Sequence, residues 1–97
     1  MKDNIVNVAI QVLPSSKNIH PYDIVDKAIE LIHNSGLKYK VCPFETVVEG
    51  KLADILTLVT KLHETCYEAG AESMMMYMKI QTNKENNVFI EDKMKKY

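Results

Sequence analysis

Residues 41–50 read Val-Cys-Pro-Phe-Glu-Thr-Val-Val-Glu-Gly, and this segment lies between two stretches of helical periodicity. Its β-branched and aromatic residues favour strands, whereas Pro43 removes a backbone donor and limits pairing in the middle of a sheet. We therefore predict two short strands, residues 37–42 and 45–49, joined near Pro43-Phe44 as a hairpin, with one long bent strand as the alternative.

Side chains alternate between the two faces of a strand, so the residue order in this segment also predicts which side chains lie together. Thr46 and Val48 share one face with Phe44, whereas Val47 and Glu49 share the other. The first set is expected to face a layer of helices, and the second set is expected on the opposite, open face of the sheet.

Two amphipathic helices are predicted on either side of this segment. The first spans residues 21–34, because proline suits the first helical position and Gly36 suits the residue just past the end. The second ends at Gly70, and its apolar stripe consists of Leu52, Ile55, Leu56, Val59, Leu62 and Cys66.

Two further strands are predicted near the ends of the chain. Residues 5–13 alternate, with a wholly β-branched face formed by Val6, Val8, Ile10 and Val12. Turn-forming residues at 14–18 predict a loop that ends this strand. Residues 73–81 form the last strand, with Met74, Met76, Met78 and Ile80 on the face expected to contact the helices.

The predicted order is β-α-β-β-α-β, which is the ferredoxin-like α+β arrangement of a four-stranded antiparallel sheet with two helices on one face. Right-handed crossovers place the first and third strands in the centre. The chain of 97 residues is expected to form one domain, with residues 82–97 as a peripheral tail that ends in either a short strand or a helical turn.

Composition excludes several classes of function. The 12 basic residues balance 13 acidic ones without forming a basic stripe, so a nucleic-acid partner is not expected. No apolar run is long enough to span a membrane and no targeting leader is evident. We therefore expect a cytoplasmic protein whose two cysteines, Cys42 and Cys66, are free thiols.

No catalytic arrangement, metal-ligand spacing or phosphate-binding glycine loop is evident, so no enzyme, cofactor or metal is expected. The four methionines near residue 75 fit core packing better than soft-metal binding. On the open face, Gln11, Glu49 and Lys79 are predicted close enough to meet one polar ligand. The alternative is an ion pair between Glu49 and Lys79, either across the sheet or between subunits.

Four segments carry a family resemblance: Val-Ala-Ile-Gln-Val-Leu-Pro at 8–14, Ser-Gly-Leu-Lys-Tyr at 35–39, Pro-Phe-Glu-Thr-Val-Val-Glu-Gly at 43–50 and Glu-Ala-Gly-Ala at 68–71. Together they resemble the thiamine-binding protein family of small ferredoxin-like proteins. The most specific piece is Thr46-x-x-Glu49-Gly50 after Pro43. Cys42 departs from the family pattern, which has glycine at that position.

The resemblance implies a non-enzymatic binder of thiamine or its hydroxymethylpyrimidine portion, assembled as sheet-paired dimers or as tetramers. It points to Thr46 and Glu49 as ligand contacts, followed by Gln11. Phe44 and Tyr77 are the aromatic residues available to a thiazolium cation. Because Thr46 and Glu49 have opposite strand parity, one pocket that holds both requires a strand end, a bulge or a second subunit.

The alternative function is a regulatory or scaffold module that oligomerises without a small-molecule ligand. The predicted open face is partly apolar, which supports oligomerisation in either case. Its apolar residues are Ile5, Ala9, Leu13 and Met75. The sequence alone does not distinguish a dimer from a tetramer.

Overall fold

A computed structural model describes residues 3–97 of the chain. The element order is β1 (Ile5–Ser15), α1 (Pro21–Asn34), β2 (Lys38–Val41), β3 (Thr46–Lys51), α2 (Leu52–Glu68), β4 (Ser73–Gln81) and α3 (Ile90–Met94). The strands form one antiparallel sheet in the order β2-β3-β1-β4. The predicted ferredoxin-like fold, with β1 and β3 in the centre, is confirmed.

The hairpin around Pro43 is also confirmed, and the single bent strand is wrong. The Cys42 N–H donates to the Glu45 carbonyl oxygen at 2.9 Å, which closes the turn, and Val41 pairs with Thr46. Gly50 allows close packing at the far end of β3. A Cβ atom there would lie 3.0 Å from the Leu37 side chain, so glycine lets the chain before β2 close over the strand.

The predicted loop at residues 14–18 begins too early, because β1 continues through Pro14 and Ser15. These residues pair with Met74 and Ser73 of β4. Pairing of β1 with β3 ends at Ile10, so only one side of the strand forms hydrogen bonds beyond that point. A proline is tolerated there because its missing N–H is not needed on the unpaired side.

The core lies between the sheet and the first two helices, and its buried members are mostly β-branched or leucine side chains: Val6, Val8, Ile10, Ile24, Ala28, Ile32, Val48, Ile55, Leu58, Leu62, Cys66 and Ala71. One predicted stripe residue is wrong: Leu56 is 45% exposed, whereas Leu58 is 4% exposed. Leu58 lies three residues after Ile55 and four before Leu62, on the face that meets the sheet.

Strand β4 is covered by the helices only in part. Met78 and Ile80 pair with the core residues Ile10 and Val8, so they lie on the helix-facing side as predicted. The helices pack over β1, β2 and β3, however, and leave Met78 38% and Ile80 47% exposed. The predicted orientation of this face is therefore confirmed, but the helices cover the outer strand only in part.

Residues 82–97 return across the open face of the sheet. The Val88 N–H donates to the Ile5 carbonyl oxygen at 2.9 Å, and the Val88 side chain is buried. Of the two alternatives for this tail, the structure has the helical turn, α3. The tail therefore covers one end of the open face, beside the start of β1.

The leucines at 56 and 58 provide a direct test of the packing. We expect Leu58→Ala to lower the free energy of unfolding by about 2–5 kcal/mol because it leaves a cavity in the core. The matched control, Leu56→Ala, should change it by no more than about 0.5 kcal/mol. Urea unfolding monitored by circular dichroism measures both values, and equal losses would contradict the assignment of α2's buried face.

Candidate functional site

Glu49, the carboxylate of the predicted ligand motif, lies on the open face and is only 8% exposed. Its Oε1 atom accepts the Ile90 N–H at 2.6 Å and lies 3.5 Å from the Asn7 side-chain nitrogen. Its Oε2 atom lies 3.9 Å from the Lys38 ammonium group. Both oxygens therefore already have protein partners, and the main one is the tail.

Lys79 does not pair with Glu49 as the sequence suggested. Its ammonium group contacts the Glu45 carboxylate at 2.8 Å. Glu45 lies just before β3, beyond the last residue pair between β1 and β3, so its side chain is free to reach along the open face. The two charged groups therefore have different partners, and the alternative of an ion pair between Glu49 and Lys79 across the sheet is wrong within the described chain.

A pocket of about 280 Å³ lies on the open face and is called the open-face pocket below. It is lined by residues of β1, β3, β4 and the tail: Asn7, Ala9, Val47, Lys79, Ile80, Gln81 and Lys93. Lys93 closes one side, where its ammonium group donates to the Gln81 Oε1 atom at 2.8 Å. The charged residues that line this pocket are both lysines, which disfavours a cationic ligand.

Asn7 is the buried polar residue of the open-face pocket, with 3% of its surface exposed. Its side-chain nitrogen donates to the Val88 carbonyl oxygen at 3.0 Å, which fixes the orientation of the amide. The amide oxygen is buried and has no hydrogen-bond partner among residues 3–97. Leaving such an acceptor unpaired costs about 1–3 kcal/mol, so this atom is unusual for a residue with no role beyond packing.

A second, narrower space of about 110 Å³ lies on the helical side of the sheet, between α1 and the β2–β3 turn. We call it the hairpin crevice. Its lining is mainly apolar and comprises Ile10, Gln11, Val12, Val25, Ala28, Ile29, Ile32, Val41, Cys42, Pro43, Phe44, Glu45 and Thr46. Thr46 is buried within it, and the Phe44 ring, 83% exposed, lies at its solvent side.

A third depression of about 360 Å³ lies between the end of α1 and the start of α2. Its polar lining comes from Asn34, Ser35, Asp54, Thr57 and Lys61. It contains none of the predicted ligand residues, and no residue of β1 or β3 contributes to it. Size alone therefore does not identify the site.

The structure divides the five predicted site residues between two faces. Phe44 and Thr46 line the hairpin crevice on the helical side, whereas Glu49 and Tyr77 belong to the open face. Gln11 also borders the crevice, but it pairs with Tyr77, so its side chain lies on the open face. The expectation that Thr46 and Glu49 lie on opposite faces is confirmed by their pairing with Ile10 and Asn7. No bulge or strand end brings these two residues together within the described chain.

Two residues that the sequence did not single out belong to these spaces. Glu45 lines the hairpin crevice and pairs with Lys79. Asn7 lines the open-face pocket and carries the unpaired amide oxygen. A short amide side chain within a mainly apolar strand is the only signal for Asn7, and its bond to the tail depends on a conformation that the sequence left open.

The cysteines differ in accessibility. Cys66 is buried in the core, and burial raises the pKa of its thiol, which keeps it in the unreactive neutral form. Cys42 is partly exposed and lines the hairpin crevice. Across residues 3–97, no three His, Cys, Asp or Glu side chains are grouped closely enough to hold a metal ion.

Comparison with known proteins identifies the family. A family model described as thiamine-binding protein matches residues 8–97, which includes both strand motifs and the tail. The chain belongs to the thiamine-binding protein family. The resemblance suggested by residues 43–50 is confirmed.

Relatives of this thiamine-binding family member support the assignment. A UPF0045 protein of Clostridium perfringens is 42% identical over 91 residues, covering 94% of this chain and 95% of the relative. A solved structure of a DUF77 domain of unknown function from Bacillus cereus has a TM-score of 0.94 at 36% identity, covering 98% of this chain and 91% of that one.

A second solved structure comes from Thermotoga maritima and is described as a proposed thiamine biosynthesis/salvage protein. It has a TM-score of 0.87 at 31% identity, covering 96% of this chain and 98% of that chain. Among the helices of residues 3–97, none combines the length and apolar character needed to cross a bilayer.

The contacts of Glu49 predict that this carboxylate holds the tail against the open face of the sheet. We expect Glu49→Gln to lower the free energy of unfolding by about 1–3 kcal/mol, because an amide nitrogen would replace one acceptor among buried donors. Hydrogen exchange at the Ile90 amide should accelerate as well. The control Glu45→Gln removes an exposed ion pair and should cost less than about 1 kcal/mol. Unchanged exchange at Ile90 in Glu49→Gln would contradict this role.

Proposed function

We propose that this protein binds thiamine or a hydroxymethylpyrimidine-type heterocycle in the hairpin crevice, without catalysing a reaction. The observation that carries the proposal is that Gln11, Phe44 and Thr46 line a single apolar crevice. The family resemblance implied Thr46, and then Gln11, as ligand contacts, and Phe44 is one of the aromatic residues available to the thiazolium cation. The family model provides the class of ligand, and the crevice provides a place for it.

The chemistry of the crevice fits the two halves of thiamine. Its volume of about 110 Å³ suits a single ring rather than a drug-sized molecule, for which pockets of about 300–1,000 Å³ are typical. The pyrimidine ring would enter between apolar side chains, where the Thr46 hydroxyl can both donate and accept a hydrogen bond. The remainder of the ligand would stay at the mouth.

At the mouth, the thiazolium cation would meet two favourable groups. Phe44 presents an exposed aromatic face, and an aromatic face attracts a cation by about 0.5–2 kcal/mol. Glu45 also lines the crevice, and its partly exposed carboxylate would serve the cation by exchanging the Lys79 ammonium group, its partner on the open face, for the ligand. The open-face pocket offers lysine ammonium groups instead, so the crevice is the better site for a positively charged ligand.

Calorimetric titration with thiamine and with hydroxymethylpyrimidine tests this proposal. Thr46→Val should weaken both ligands, since both carry the pyrimidine, by about 1 kcal/mol or roughly five-fold. Phe44→Ala should weaken thiamine by a similar factor and hydroxymethylpyrimidine much less, because only thiamine carries the cation. The control Tyr67→Ala removes an exposed aromatic side chain of α2 and should change neither affinity.

If the folded protein shows no heat of binding with either ligand, the proposal is wrong and the alternative of a regulatory or scaffold module remains. If both ligands bind but Thr46→Val and Phe44→Ala leave the affinities unchanged, the binding function survives and the crevice is the wrong site.

We also infer that the chain assembles as a homo-oligomer through the outer edge of β4. This edge strand has nine residues, and it exposes Met78 and Ile80 on one face and Met75 and Tyr77 on the other. Long, exposed edge strands of apolar character tend to pair with another strand, and soluble proteins rarely leave them open. Sheet-paired dimers are also what the family resemblance implies.

The oligomer proposal is tested by the sedimentation-equilibrium mass. The unmodified chain should have at least twice the mass of one chain, and Met78→Lys combined with Ile80→Lys should reduce it to one chain through charge repulsion at the edge. Leu56→Lys changes an equally exposed apolar residue on α2 and should leave the mass unchanged. A single-chain mass for the unmodified protein would contradict the inference.

A further inference from the structure

We propose that the open-face pocket is a second binding site, for a small anion that also carries an N–H donor. The pocket lies on the side of the sheet opposite the hairpin crevice, so this site is independent of the proposed thiamine function. Three observations support it: the volume of about 280 Å³, the buried and unpaired amide oxygen of Asn7, and the two lysines at the rim.

Asn7 determines which hydrogen-bonding group the ligand must carry. The side-chain nitrogen is committed to two acceptors, the Val88 carbonyl oxygen and the Glu49 carboxylate. The amide oxygen is therefore identified unambiguously as an unpaired acceptor, turned away from Glu49. A ligand N–H group, such as an amine, amide or ureido group, is the chemical complement of that oxygen.

Lys79 and Lys93 determine the charge of the ligand. Both line the pocket, and each has a side-chain partner: the partly exposed Glu45 for Lys79 and the exposed Gln81 for Lys93. A carboxylate or phosphate placed between them can accept charge-assisted hydrogen bonds from both ammonium groups. It would compete with the Glu45 carboxylate and the Gln81 amide oxygen for the two ammonium groups, which are themselves largely in contact with solvent.

The tail controls access to this site. Asn7 is covered by the tail through its bond to Val88, and Lys93 belongs to the same segment. A ligand that reaches the Asn7 oxygen must therefore shift residues 88–93. Binding should consequently change the environment of the tail as well as that of the sheet.

Nuclear magnetic resonance titration of the full chain tests the site with two probes that share this chemistry. O-Phosphoethanolamine supplies an amine and a phosphate, and N-carbamoylglycine supplies a ureido group and a carboxylate; neither contains the pyrimidine proposed for the hairpin crevice. We expect at least one probe to shift the Asn7 side-chain amide together with the backbone amides of Gln81 and Lys93. The probe that does so identifies the phosphate or carboxylate form as the preferred anion.

Lys79→Gln combined with Lys93→Gln should weaken that probe at least ten-fold, whereas the control Lys17→Gln with Lys27→Gln should not. Asn7→Ala should abolish the shifts at Gln81. If Asn7→Ala does not fold, the variant with Lys79→Gln and Lys93→Gln still tests the site. The proposal is overturned if neither probe shifts these resonances at millimolar concentration. It is also overturned if inorganic phosphate alone, which lacks the N–H donor, produces the same shifts with the same affinity.

Discussion

Alternation of side chains along β3 is the constraint on which the rest of this molecule depends. Thr46 pairs with Ile10 and faces the helices, whereas Glu49 pairs with Asn7 and faces the tail. Two residues of one short motif therefore serve opposite sides of the sheet. The hydroxyl lies in an apolar crevice, and the carboxylate lies in a polar network that holds residues 88–90.

This division assigns different roles to residues that a motif presents as one group. Glu49 is buried with three partners, so the family carboxylate is explained within this chain by attachment of the tail. Gly50 next to it is explained by the close approach of Leu37. Thr46 and Phe44 have no comparable structural explanation, which is why the proposed ligand site centres on them.

The ion pair between Glu45 and Lys79 lies where the two spaces come nearest to each other. Glu45 lines the hairpin crevice, Lys79 lines the open-face pocket, and their charged groups are 2.8 Å apart. The negative member thus belongs to the space proposed for a cationic ligand. The positive member belongs to the space proposed for an anionic one.

Much of the fold was predictable from the sequence because it depends on local patterns. Strand alternation, the proline at the start of α1 and the glycines after both helices gave the element order, and parity gave the faces of Thr46 and Glu49. The errors arose where neighbours decide the outcome. Pro14 stays in β1 because β3 has already ended, and Ile80 is exposed because the helices stop short of β4.

The candidate site was less predictable for the same reason. Three of its predicted residues meet in the crevice, but the partner of Lys79 and the role of Asn7 depend on side chains from distant parts of the chain. The tail supplies several of those partners, and its polar sequence carries no periodicity that would predict where it docks.

The most direct test of the account is the position of the pyrimidine ring in a complex with thiamine, measured by intermolecular nuclear Overhauser effects. The account predicts contacts from the pyrimidine methyl group to the methyl groups of Thr46 and Val41 on the helical side of the sheet. Contacts to Val47 and the Tyr77 ring on the open face, with none to Thr46, would contradict it.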